Sequence, residues 1–274
     1  MTMQNVAAEP AIWQSDLLAT VPRVRHAVTG RAPGLGLADG NIGFSPPRDK
    51  ADAWAMREHW CGLAGLDARQ LVTLGQIHGA VVHRVRGEDA GRGAQPGSQQ
   101  IGLGDALITN EPGAVLMTLH ADCQALLFVD PGSPVRGPAV GVAHAGWRGT
   151  VADVARQTVA AMTEAFGTQP QDLFVSVGPA IGACCYTVGA EVVDAWQALA
   201  GDAWPVAISQ QQAPTFSLSA ANAWLLRRAG VLPERIDVST VCTRCDSNGE
   251  RWFSHRGQGA ATGRFGALIT ILDD

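Results

Sequence analysis

An α+β fold is what this sequence predicts: a single compact domain with mixed β-sheets flanked by helices. Three observations carry that reading. Short apolar runs of strand character succeed one another across brief turns at 71–76, 80–85, 105–108, 114–119, 125–130 and 139–144. Segments with helical spacing interrupt them at 49–66, 150–166, 189–199 and 218–229, without alternating one for one. No linker, internal repeat or compositional break divides the chain. Strand pairs joined by short turns favour mixed sheets over a doubly wound parallel sheet.

In chain order, residues 1–22 carry Pro10, Pro22 and little periodicity, and read as a loosely attached lead-in to one domain over 23–274. Residues 23–28 suit a first strand, followed by a Gly/Pro-rich loop over 30–47. Helix 49–66 is predicted from Ala51, Trp54, Ala55, His59 and Leu63 at helical spacing. Residues 86–104 are rich in Gly, Gln and Ser without an apolar period, which predicts an exposed loop. In 150–166 one face collects Val151, Val154, Ala155, Thr158, Met162 and Ala165, and Thr150 with Asp153 resembles a capping box. A strand at 174–177 follows. The helix over 218–229 stops at Gly230, and 236–240 and 265–272 are closing strands.

Composition narrows the function. With 274 residues, 46% of them hydrophobic and 16% charged, the chain can bury a substantial core. A net charge of −5 leaves no basic footprint for nucleic acid. The N-terminal segment lacks the basic and apolar regions of a secretory signal. No stretch reaches the roughly 18 apolar residues of a membrane helix. Six cysteines, two adjacent at Cys184 and Cys185, do not form the pattern of a secreted disulfide framework. A cytoplasmic protein is expected, monomeric or weakly homo-oligomeric.

The chemistry centres on His78, Cys123 and His144, each placed where a strand-like run meets a Gly-rich or polar turn. Two imidazoles and a thiolate make a three-ligand metal set that leaves a fourth position for water or substrate. The same residues also suit a Cys–His nucleophilic pair. Both readings are enzymatic. His120, three residues before Cys123, is expected to stand behind the ligands, while His26 and His59 suit surface or helix-face roles and nothing marks His83. Gly146-Trp147-Arg148-Gly149 precedes a helix, so Arg148 and free N–H groups offer an anion site. Cys242-Thr243-Arg244-Cys245 has metal-knuckle spacing without a second such pair, so these thiols are read as incidental, with Cys184 and Cys185 packed in a turn.

Together, Gln76-Ile77-His78-Gly79, Thr118-Leu119-His120-Ala121-Asp122-Cys123 and Val142-Ala143-His144-Ala145-Gly146-Trp147-Arg148-Gly149 resemble the YfiH-like family. Its members are variously called laccase domain-containing proteins, polyphenol oxidases and purine nucleoside phosphorylases. Gly178-Pro179-Ala180-Ile181-Gly182 leading into Cys184-Cys185-Tyr186, then Phe253-Ser254-His255-Arg256, Thr262-Gly263-Arg264 and the early Asn41-Ile42-Gly43 extend the similarity from about residue 24 to the C-terminus. The resemblance implies a fold related to the cytotoxic-necrotizing-factor deamidases, with His78, Cys123 and His144 as both metal ligands and catalytic residues. It further implies zinc and the phosphorolysis of adenosine, inosine or methylthioadenosine, with adenosine deamination as a second activity. His120 stands where the family usually has Thr, and His255 where it usually has Tyr.

Arg148 is the candidate to hold phosphate, and Gln76, Asp122 and Arg256 to orient the nucleoside. Copper-dependent phenol oxidation is an alternative, since Cys, two His and a nearby Met resemble a blue-copper set. A multicopper cluster needs His-x-His pairs, and the seven histidines here form none. A further alternative is a Cys–His hydrolase that edits peptidoglycan precursors.

Overall fold

The computed structural model describes residues 12–133, 135–210 and 213–273. Two β-sheets lie face to face and helices cover both outer faces. The four-stranded sheet runs in the order Val24–Val28, Phe265–Ile271, Val115–His120, Leu71–Val72. The six-stranded sheet runs Ile236–Val238, Phe174–Val177, Gln124–Asp130, Ala139–Ala145, Ala106–Thr109, Val82–Arg84. Both are mixed: Val82–Arg84 lies parallel to Ala106–Thr109, whereas Gln124–Asp130 and Ala139–Ala145 are antiparallel. This is the single α+β domain that the apolar pattern predicts.

Alternate side chains of each long strand enter different cores. In Gln124–Asp130, Leu126 and Phe128 meet the helices Val154–Phe166, Ala190–Ala200 and Leu218–Arg228, while Leu127 and Val129 meet the other sheet. In Val115–His120, Leu116 faces the inter-sheet core, and Val115 and Met117 pack with Met56 and Trp60 of helix Lys50–Leu63. Burial of both faces makes the apolar runs continuous rather than alternating.

Several expectations need correction. Residues 12–22 are not loosely attached: Leu18 is fully buried, Trp13 bridges Val28, and Ser15 donates through Oγ to Asp237 at 2.6 Å. Residues 1–11 of that lead-in lie outside the described residues. His26 is not a surface group; it is buried, and its Nε2 accepts the Ser15 N–H at 2.9 Å.

Helix Lys50–Leu63 turns a different face inward from the stripe read in the sequence: Ala53, Met56, Arg57, Trp60 and Cys61 are buried, while Leu63 is 50% exposed. The stripe was hidden because its central member is an arginine. Arg57 donates to the carbonyls of Ile42, Gly93 and Ala94 and stacks on Phe44. These bonds pull part of the expected exposed loop, 86–104, onto the body and bury Ala94.

The 71–76 run is split. Leu71–Val72 joins the four-stranded sheet and Gly75–Gln76 pairs with Leu103–Gly104. The helix expected to start at Thr150 is two helices, Trp147–Val151 and Val154–Phe166. Asp153 lies between them in the left-handed region (φ 63°), without a side-chain cap bond, so there is no capping box.

Candidate metal centre and cleft

Cys123 owes its place to a change of sheet. The chain leaves the four-stranded sheet after His120, turns through Asp122 at φ 86°, and enters the six-stranded sheet at Gln124. His144 lies in Ala139–Ala145, paired in register with Ala125. His78 follows Gly75–Gln76 in a left-handed conformation (φ 59°). Three segments far apart in sequence thereby put their donor atoms within 4.8 Å of one another. The His78 and His144 rings meet edge to face at 4.8 Å between centroids.

Asp105, unremarked in the sequence reading, organises this centre. Fully buried, it accepts backbone N–H groups from His78 at 3.0 Å and Gly79 at 2.7 Å, and lies 2.9 Å from Nδ1 of His144. With Nδ1–H on the carboxylate, Nε2 of His144 is left with its lone pair for a ligand role, a common second partner of metal-bound imidazole. The only sequence signal was an acidic residue opening an otherwise apolar strand.

Burial opposes ionisation of Cys123, but His144 and His78 beside it outweigh that and bring its thiol down to about 6. Burial likewise opposes the His144 imidazolium, yet the Cys123 sulfur and Asp105 push it up to about 9. Both shifts favour a thiolate beside a protonated imidazole, and metal binding at these donors would displace that proton. Gly146 closes tightly over it: a Cβ there would stand 2.9 Å from the Cys123 sulfur.

His120 is no fourth ligand. Its Nε2 is 2.8 Å from the Thr118 hydroxyl, its Nδ1 3.2 Å from the Cys123 carbonyl, and its ring stacks on Phe265. Burial first, then the neighbouring His144, holds it well below the usual imidazole range and so neutral. Three donors with no fourth protein ligand among the described residues suit an open metal centre rather than a closed structural one. Met117 packs with Trp60 and Leu268 on the far face of its strand, so it does not supply the axial thioether of a blue-copper set.

The donors face a cleft of about 700 Å³. All four substrate-contact candidates reach its wall, with unequal freedom. Gln76 exchanges two 2.8 Å bonds with the backbone of Leu119, tying its strand to Val115–His120. Asp122 takes the Thr243 hydroxyl at 2.7 Å and the Arg256 N–H at 2.6 Å, so its oxygens already serve protein donors. Arg148 lies over the Trp147 ring, and Arg256 lies 5.1 Å above that of Tyr186 with one bond to the Thr187 carbonyl. Tyr186, His255 and Arg264 line the same space and were not assigned to the site from sequence. Tyr186 is pushed up to about 12, first by burial and then by Cys123.

A two-sheet α+β domain with a Cys–His–His centre at the floor of an arginine-lined cleft defines the class. Residues 25–272 match the model of the family described as multi-copper polyphenol oxidoreductase laccase. The chain belongs to that laccase-like family, the YfiH-like group its motifs resemble. It is similar to the purine nucleoside phosphorylase YlmD of Bacillus subtilis, 34% identical over 85% of this chain and 82% of the relative. The crystal structure of YlmD from Geobacillus stearothermophilus superposes with a TM-score of 0.85 at 32% identity, covering 92% of this chain and 93% of the other. That of the hypothetical protein YfiH from Bacillus licheniformis gives 0.85 at 29% identity, covering 96% and 97%.

Proposed function

We propose that this protein is a zinc-dependent purine nucleoside phosphorylase acting on adenosine, inosine or methylthioadenosine, with adenosine deamination at the same centre. The reading draws on relatives named for that activity and on one observation: three arginines line the cleft wall above the Cys–His–His donors. Phosphate is a substrate of phosphorolysis, and guanidinium groups match its geometry. Phenol oxidation calls for no such anion site. A cleft of about 700 Å³ lies within the range of about 300–1,000 Å³ typical of small-molecule sites.

His78, Cys123 and His144 hold the ion, with Asp105 fixing the His144 ring and the backbone of His78. Zinc supplies Lewis acidity beside the bound nucleoside. Arg148, with its guanidinium over Trp147, presents phosphate to the ribose C1′. A phosphate oxygen forms the new bond at C1′ while the bond to the purine nitrogen breaks, its electron pair leaving with the base, which takes up a proton. Arg256 and Tyr186 frame the nucleoside, and Asp122 and Gln76 hold the wall behind it. Free thiols at all six cysteines suit a reducing cytoplasmic setting, and no described helix is long and apolar enough to cross a membrane.

The copper-oxidase reading suffers from ligand count, because of the seven histidines only His78 and His144 group with Cys123 at the centre. The Cys–His hydrolase reading rests on the closeness of Cys123 to His144. A thiolate bound to metal is not free to attack, so the metal content of active protein separates the two.

Incubation with each nucleoside, with and without phosphate, followed by chromatography tests the proposal. Free base and ribose 1-phosphate should form only when phosphate is present. Absence of base release from all three nucleosides would overturn the reading. Cys123→Ala should lose both the ion and turnover, and a fully active metal-free variant would refute the metal role.

A further inference from the structure

Four cysteines outside the cleft converge although the sequence separates them into two distant pairs. Strands Phe174–Val177 and Ile236–Val238 are parallel neighbours, so the turns leaving their C-terminal ends emerge side by side. Pairing continues beyond them, with Ala180 bridged to Cys242 and the Thr243 N–H on the Ala180 carbonyl at 3.0 Å. The sulfurs of Cys184, Cys185, Cys242 and Cys245 consequently all lie within 4.8 Å of one another, and those of Cys184 and Cys245 are 3.7 Å apart. Cys184 and Cys185 lie in a turn, as expected, but that turn sits against Cys242 and Cys245, so the two pairs form one cluster.

The spacing discriminates between fates. Tetrahedral zinc with four bonds of about 2.3 Å sets sulfurs about 3.8 Å apart. A disulfide requires about 2.05 Å and joins only two of the four. The surroundings are prepared for a thiolate as well. Gly182 donates its N–H to the Cys242 sulfur at 3.2 Å, and a Cβ on Gly182 would press on Cys184 Sγ at 3.1 Å and Cys242 Cβ at 3.2 Å.

We propose that Cys184, Cys185, Cys242 and Cys245 form a second, structural metal site, a closed tetrathiolate centre for zinc. It clamps together two segments of the cleft wall. The first carries Ile181 and Tyr186; the second carries Thr243, whose hydroxyl holds Asp122, which in turn holds the Arg256 backbone. The site stands independently of the purine reading, because its metal is counted without any substrate.

The test is zinc stoichiometry by elemental mass spectrometry on protein purified reducing and without added metal. Cys123→Ala, lacking a ligand of the cleft centre, should retain about one zinc per chain. Adding Cys184→Ser and Cys245→Ser should remove it. Cobalt given to Cys123→Ala should produce the intense sulfur-to-metal charge-transfer bands of a tetrathiolate, absent after the two serine substitutions. Folded Cys123→Ala with neither zinc nor cobalt bound and four freely reacting thiols overturns the proposal. So does a Cys184–Cys245 disulfide found by peptide mass mapping after anaerobic handling. If the serine variant does not fold, the metal count and cobalt spectrum of Cys123→Ala still decide the matter.

Discussion

Oδ1 of Asp105 lies 2.9 Å from Nδ1 of His144 and also accepts the His78 N–H at 3.0 Å. One buried carboxylate therefore fixes the ring of one imidazole and the backbone of another. Such partners usually affect metal affinity by about 10–100-fold when altered. Asp105→Asn, which keeps the shape but loses the charge, is expected to weaken binding at the cleft centre by that range. Competition with a chromophoric chelator measures it, and excess zinc should restore turnover. Unchanged affinity would show that the carboxylate only shapes the loop.

Arg148 is exposed at the cleft and lies over Trp147. If it presents phosphate, Arg148→Met should raise KM for phosphate by about tenfold or more, a loss of about 1.4 kcal/mol or more for a charge-assisted bond. KM for the nucleoside should move little. Equal increases in both constants would point instead to collapse of the wall.

Arg57 serves three carbonyls from inside the core, and burial lowers its guanidinium to about 9. Arg57→Ala strands those acceptors and should cost about 3 kcal/mol, since each unsatisfied buried group carries about 1–3 kcal/mol and the losses are not additive. Urea unfolding reads the loss. Limited proteolysis should show new cleavage within 86–104, because two of the three bonds hold that segment.

His26 gives an acid-side prediction. Burial brings its pKa from 6.5 down to about 4, against the opposing charge of Asp237. The unfolded chain then binds the proton more readily than the folded one between those values. The stability contributed by neutral His26 is complete above pH 6.5 and lost as pH falls toward 4. Between pH 7 and pH 5 the wild type should lose about 2 kcal/mol more than His26→Gln in urea unfolding. Parallel pH profiles for the two proteins would contradict this.

Local information made much of the architecture legible. Leu116, Phe128, Val142 and Ile269 lie in runs whose length and composition predict strands, and strands they are. His78, Cys123 and His144 stood out because each marks a strand-to-turn junction within a recognisable motif. Arg57 misled the helix reading, because periodicity treats a charged residue as outward-facing and cannot see the carbonyls that satisfy it.

Apolar content, turn residues and motif order, all properties of neighbours along the chain, determined the strands, the helices and the candidate ligands. Only the tertiary structure decided which sheet each strand joined, that Asp105 would serve His144 across 39 residues, and that Cys184 would meet Cys245 across 61. Those pairings depend on how the sheets stack and which strand ends emerge together. Hydrogen bonds and metal geometry act through space over a few ångströms, and a linear pattern carries no measure of that distance.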